Sequence, residues 1–199
     1  MNQVTPPPFL RKLPVKNIVI FSFKRLIVIF GLLVLASCAS PKIEDYANEK
    51  PLLNLSEYFN GTVKGYGIFT DRSGQVVKRF TVDIVSTWQM RDGIKTGVLD
   101  ESFVYSDGTT QKRIWTLKEI RPNYFEGSAA DVVGIALGQA KGNALHWNYT
   151  LSLPVDGREI EVKMNDWMYL ITPRVMLNRT QMTKFGIYLG EVTLSFEKI

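Results

Sequence analysis

From residue 71 onward the chain is broken at short intervals by turn-forming residues, and that spacing limits its possible folds more than any other feature. Asp71-Arg72-Ser73-Gly74, Arg91-Asp92-Gly93, Asp107-Gly108, Arg121-Pro122-Asn123, Pro154-Val155-Asp156-Gly157 and Thr172-Pro173 separate runs rich in Val, Ile, Thr, Tyr, Phe and Trp. Such runs between such turns are the pattern of an antiparallel meander. The best helical stretch is short, Leu52 to Phe59, and is placed to close one end. A meander of about eight to ten strands leaves two unpaired edges if it stays open, and closing the sheet on itself removes them.

Alternation along the runs assigns an inner face. Phe80, Val82, Ile84 and Trp88 form one apolar set; Leu99, Phe103 and Tyr105 form a second. Leu145, Trp147, Tyr149, Leu151 and Leu153 form a third, and Ile160, Val162, Met164, Met168 and Leu170 a fourth. Each strand therefore buries one face and shows the other to water. The expected fold is all-β, a single antiparallel up-and-down (lipocalin- or calycin-like) β-barrel over residues 52–199.

The hairpin at Asp107-Gly108 allows a register to be chosen. A three-residue loop, Asp107-Gly108-Thr109, pairs Phe103 with Arg113, Glu101 with Trp115 and Leu99 with Leu117, which keeps the apolar residues together. It also sets Glu101 and Arg113 diagonally adjacent on that apolar face.

Those two charges are the sharpest exceptions to the pattern. A charge on an inner face is costly unless paired, so they form either a structural ion pair or a polar point that orients a ligand head. Asp166 breaks the Ile160-Val162-Met164-Met168 face, and lies inside unless a bulge turns it outward. Glu101, Arg113, Trp115 and Asp166 are the candidate ligand-binding residues.

The stretch Gly134 to Ala144 carries nothing larger than a methyl on one face: Gly134, Ala136, Gly138, Ala140, Gly142, Ala144. Such a face walls a pocket or is filled by an aromatic, with Trp88, Trp115 and Trp147 available.

Other chemistries find little support. His146 is the only histidine, on the polar face of its strand, and Cys38 is the only cysteine. No zinc set, disulfide or cofactor site is expected from them. There is no G-x-S-x-G elbow, and Asp100 and Glu101, adjacent on a strand, point to opposite faces. The expectation is a protein without catalytic, metal or cofactor residues.

The N-terminal part determines location. The cationic pair Lys24-Arg25, the apolar run Leu26 to Ala36 and then Ser37-Cys38 follow the order of a secretory signal peptide. The run is short of the roughly 20 residues that span a bilayer. Leu35-Ala36-Ser37-Cys38 resembles the lipobox of bacterial lipoproteins, in which the signal is cut before the cysteine and the cysteine is acylated, by palmitate among other chains. That resemblance implies a signal peptide over 1–37, a lipidated Cys38 and a tether through residue 51. Ala39 after the cysteine implies the outer membrane, facing the periplasm. Residues 1–14, with Pro6-Pro7-Pro8, have no clear export role and suggest an over-extended start.

Five of the 24 basic residues precede Cys38 and none of the 19 acidic ones does, so the remainder is balanced despite a formal net charge of +5. A balanced chain without a basic cluster has no electrostatic footprint for nucleic acid.

Taken in order, Leu55-x-x-Tyr58-Phe59-x-Gly61, Asp100-Glu101-x-Phe103-Val104-Tyr105-Ser106-Asp107-Gly108, Arg113-x-Trp115, Ala130-Asp131-Val132-Val133-Gly134, Asp166-Trp167-Met168 and Asn178-Arg179-x-x-Met182-x-Lys184-Phe185-Gly186 resemble an uncharacterised group of proteobacterial lipoproteins, the domain of unknown function 3833 family. The resemblance implies a small exported lipoprotein and no assigned activity. The functional expectation is a non-enzymatic envelope lipoprotein, anchored to the membrane through Cys38, whose barrel binds a small amphipathic or lipid-like ligand. The alternative is a structural or protein-interaction lipoprotein with a filled barrel, using outward aromatics such as Tyr169 and Tyr188 as anchors.

Overall fold

Each run between turns becomes one strand, paired with the strand before it. The computed structural model describes residues 40–199 except Asp156. Ten strands follow one another: β1 (Gly61–Asp71), β2 (Val76–Arg91), β3 (Ile94–Tyr105), β4 (Thr110–Arg121), β5 (Tyr124–Ser128), β6 (Ala136–Lys141), β7 (Ala144–Val155), β8 (Arg158–Leu170), β9 (Val175–Lys184) and β10 (Ile187–Lys198). Every pairing is antiparallel between sequence neighbours until β10 meets β1, from Val63 opposite Lys198 to Asp71 opposite Gly190, and closes the barrel. Lys42–Ile199 form one compact unit that contains every strand partner and the main core.

The inner faces are those that alternation assigns. Val82, Ile84, Leu99, Phe103, Leu145, Trp147, Val162, Met164 and Leu170 are all buried. The β3–β4 register differs from the expected one by two residues. The loop is Ser106-Asp107-Gly108, and the Tyr105 amide donates to the Thr109 carbonyl at 2.9 Å. Glu101 therefore stands directly opposite Arg113, Leu99 opposite Trp115 and Gly97 opposite Leu117. Asp107 fixes this turn, which has as many residues as the expected one but sits one position earlier, by accepting from the Thr109 amide and hydroxyl at 3.0 and 2.5 Å, with Gly108 at φ +82°. A slip of two leaves every side chain on its own face, which is why hydrophobic pattern alone did not separate the two registers.

One end of the barrel is plugged. The short helix α1 (Leu55–Tyr58) begins at Asn54, whose side-chain oxygen accepts from the Glu57 amide at 3.3 Å. The Tyr58 hydroxyl donates to the carbonyls of Arg174 and Phe196, and Lys198 Nζ donates to those of Glu57, Tyr58 and Asn60 at 2.7–2.8 Å. Trp88 Nε1 donates to the Phe59 carbonyl at 3.1 Å. These bonds satisfy the carbonyls at the end of α1 and hold Leu55 and Phe59 in the barrel end.

Three inward glycines stand directly opposite a large aromatic: Gly67 opposite Phe80, Gly97 opposite Trp88 and Gly138 opposite Trp147. A Cβ at Gly138 would come within 2.6 Å of the Trp147 ring, and the other two would overlap their partners similarly. The rings thus lie down on the wall across the strand, as aromatics do over strand glycines. The expected small-residue strand is shorter than the stretch Gly134 to Ala144. Only Ala136, Gly138 and Ala140 line the inside of β6, because Gly134 and Gly142 take positive φ (+74° and +56°) outside the strand.

The tether expected over 38–51 is also shorter. A 3-10 turn, Ile43–Tyr46, packs on the outside of the barrel, with Ile43 only 6% exposed. Tyr46 lies against Trp167 and Tyr169, at ring centroids 5.6 and 5.3 Å away. Trp167 and Tyr169 sit on the outer face of β8, and an outward tryptophan is an apolar surface that the preceding chain covers. Tyr169 is consequently a contact within the chain and no free anchor. Gly142 lets the Tyr46 carbonyl approach closer than any Cβ would allow. Gly142→Ala is expected to loosen residues 42–51 while leaving the barrel intact. Faster amide exchange confined to those residues, with the melting temperature lowered by less than about 3 °C, would be the measured result.

Candidate functional site

The barrel holds a cavity of about 770 Å³, partly open to solvent, that runs from α1 toward the opposite end. Leu55 and Phe59 form its floor, and Thr109, Thr110, Pro154 and Val155, at strand ends, lie at its far limit. Its wall is largely aromatic and aliphatic, since the rings that lie over the glycines thicken the wall without filling the middle. A volume of this size is within the roughly 300–1,000 Å³ of small-molecule sites.

Glu101, Arg113, Trp115 and Asp166 all face this cavity. Glu101 and Arg113 are direct cross-strand partners, with Arg113 Nη1 and Glu101 Oε2 3.9 Å apart. That distance is an ion pair and is too long for a hydrogen bond. The closer partner of Arg113 is Asp131, in the β5–β6 connection. Arg113 Nε donates to the two carboxylate oxygens at 3.2 and 3.0 Å and Nη2 to one of them at 2.6 Å. This two-pronged geometry is the strong form of an arginine–carboxylate contact. The Arg113 guanidinium also lies 5.6 Å from the centre of the Phe103 ring.

Asp166 is on the inside of β8, opposite Trp147 in a continuous register, so no bulge turns it outward. It is 5% exposed. The Tyr149 hydroxyl donates to it at 3.0 Å, and the Asn178 side-chain amide donates to its other oxygen. Asn178 also donates to the Trp167 carbonyl at 3.1 Å, and the Thr180 hydroxyl donates to the Asn178 side-chain oxygen at 3.3 Å. Trp115 packs edge-on to Tyr149 with centroids 5.6 Å apart, joining the two polar groups through an aromatic contact.

Burial dominates the electrostatics. Desolvation pushes the Glu101 carboxyl up to about 7; Arg113 opposes the shift, and the negative charges of Asp131, Asp166 and Asp100 add to it. Desolvation pushes Asp166 up to about 6, against the hydrogen bonds from Tyr149 and Asn178 and the polar hydroxyl of Thr180 beside them, which favour its ionised form. The Tyr149 phenol is raised well above its ordinary value by burial and by Asp166. The arrangement holds two carboxyl groups that change protonation near neutral pH inside an apolar chamber.

Asp131, Tyr149, Asn178 and Thr180 complete the site and were not among the candidates. Asn178 and Thr180 share the parity of Met176 and Met182 on β9, so alternation along that strand would have exposed them. Asp131 lies in a connection, where no periodicity operates. His146 is on the outer face, stacked on Trp167 with centroids 4.0 Å apart and hydrogen-bonded to Asn165 Oδ1 at 2.7 Å. Cys38 and the signal segment lie outside the described residues. Among the described residues no three His, Cys, Asp or Glu side chains gather as metal ligands, and no helix is long and apolar enough to cross a membrane.

The sequence model of a family described as Protein of unknown function (DUF3833) matches residues 32–198. No curated protein matches the chain. Among solved structures, an S-type phycobiliprotein lyase from Guillardia theta superposes with a TM-score of 0.53 at 8% identity, over 74% of this chain and 93% of that one. A protein with unknown function from the DUF3598 family, from Nostoc punctiforme, superposes with a TM-score of 0.50 at 14% identity. There the match covers 81% of this chain and 53% of that one. At such identities the likeness is one of fold, a lipocalin-like, calycin-type barrel.

Proposed function

The chain belongs to the DUF3833 family of proteins of unknown function, and from that premise we propose that it is a non-enzymatic envelope lipoprotein whose barrel holds a small amphipathic ligand. The cavity carries this reading. It is plugged at one end by α1, apolar along its walls, and interrupted by one polar cluster set among aromatic rings. An apolar chamber with a few convergent polar groups is the form of a ligand site. Asp166 accepts from Tyr149 and Asn178, and Glu101 has the Arg113 guanidinium 3.9 Å away and one side open to the cavity. Neither carboxyl stands beside a nucleophile or a metal-ligand set among the described residues, and the pair suits holding and orienting a molecule. A phycobiliprotein lyase has the same fold, and at 8% identity that likeness adds nothing about chemistry here.

The anchor is the second half of the reading. The basic pair, apolar run and Leu35-Ala36-Ser37-Cys38 support export and acylation at Cys38. Several acyl chains on one cysteine would give stable attachment, since one chain alone binds only marginally. The outer membrane, with the barrel on the periplasmic side, is the location this supports.

Native mass spectrometry of the full chain, expressed in a Gram-negative host and released from the envelope, tests both halves. The expected spectrum shows a mature mass beginning at an acylated Cys38 and a second species heavier by a bound molecule of a few hundred daltons. An unacylated N-terminus would remove the anchor. A barrel free of any adduct, and unable to take up an apolar fluorescent probe, would remove the ligand.

A further inference from the structure

We infer that the molecule in the cavity presents a cationic head, a protonated amine or a comparable N–H-bearing group, to Glu101 and Asp166. This rests on the reading of the barrel as a ligand-binding chamber and specifies what it selects.

The charges facing the cavity are Lys78, Glu101, Arg113 and Asp166. Both cations are already engaged by carboxylates. Arg113 makes the two-pronged contact with Asp131 at 2.6–3.2 Å. Lys78 lies 3.2 Å from Asp107 and 4.6 Å from the centre of the Tyr105 ring. The carboxyls are not matched in the same way. The Glu101 side chain is 12% exposed, accepts no hydrogen bond among the described residues, and has the already committed Arg113 at 3.9 Å. Asp166 receives only neutral donors, from Tyr149 and Asn178. Once the Arg113–Asp131 pair is taken together, the interior is left with an excess of acid.

A carboxylate or phosphate head would add a further negative charge to that excess. It would find only Arg113, already bound to Asp131, and the more exposed Lys78, already beside Asp107, and like charges brought together in an apolar site oppose binding. An ammonium head reverses the balance. It supplies Glu101 with the donor it lacks, it favours the ionised form that burial disfavours, and it can rest against the faces of Phe103, Tyr105 or Trp115. The apolar wall beyond, with Val82, Leu117 and Leu194, takes the tail.

The test uses residues 42–199, which contain every strand partner and the main core, at pH 8. The neutral dye N-phenyl-1-naphthylamine reports entry, and decylamine, decanol and decanoate, each below its micellar concentration, compete with it. Decylamine is expected to displace the dye at a concentration at least about tenfold lower than decanoate, with decanol between them. Glu101→Gln, or Glu101→Met as a second variant, should narrow the amine-to-acid gap to less than about threefold. Decanoate competing as well as decylamine, or a gap unchanged in both variants, would overturn the inference while leaving the chamber reading in place. A dye that never enters the folded barrel overturns both.

Discussion

Raising the pH from 5 to 8 is expected to destabilise the isolated barrel by several kcal/mol, the reverse of ordinary acid denaturation. Glu101 and Asp166 titrate near 7 and 6 in the folded chain, against ordinary values of 4.5 and 3.8. Below about pH 3 both groups are protonated in the folded and unfolded chain alike and contribute no slope. From there through the folded-state values the native state holds protons that the unfolded chain has released, so stability falls as pH rises. The loss is complete only above about pH 8. Each shift corresponds to on the order of 3 kcal/mol, and because the two carboxyls repel each other their contributions are not simply additive. Urea unfolding of residues 42–199 at pH 5.0, 6.5 and 8.0 measures this directly. Glu101→Gln should remove about half of the slope, and an unchanged midpoint across the series would show that neither carboxyl is held neutral.

Arg113→Met should be the most damaging substitution in the cavity at pH 8, costing about 3–5 kcal/mol. Among the described residues the guanidinium is the one cation paired with Glu101 and Asp131, and its removal leaves two largely buried acids without a counter-charge. The melting temperature should drop by about 10 °C. Two responses distinguish this mechanism from lost packing. Lowering the pH to 5 should restore much of the stability, since Glu101 takes up a proton, and adding Asp131→Asn should do so as well. A deficit indifferent to both would mean that Arg113 acts through its aliphatic stem and its contact with Phe103.

Strand number, closure and faces were legible because each depends on local signals. Turn residues mark the strand ends, and alternation marks the side that must leave water. Glu101, Arg113 and Asp166 were visible for the same reason, as charges on otherwise apolar faces. What escaped depends on the distance between strands. Whether Glu101 faces Arg113 or Trp115 is decided by Asp107 bonding to Thr109, and both registers bury the same residues. Asp131 reaches Arg113 from a connection whose path no periodic pattern specifies. Parity puts Trp167 on the outer face, and nothing periodic marks the 3-10 turn at Ile43–Tyr46 that covers it. Whether the interior is hollow turned on Gly67, Gly97 and Gly138 lying directly opposite Phe80, Trp88 and Trp147, a matter of pairing that composition cannot express.

The seam between β1 and β10 joins the beginning of the barrel to its last dozen residues. Until Ile187–Lys198 have been synthesised, β1 and β9 are both raw edges, and the plug at α1 lacks the lysine that fastens it. Contacts between the two ends of a chain are slow to form, because the whole intervening loop must be drawn together first. A polypeptide built this way cannot close until its final strand arrives, a property that would suit the export proposed for it.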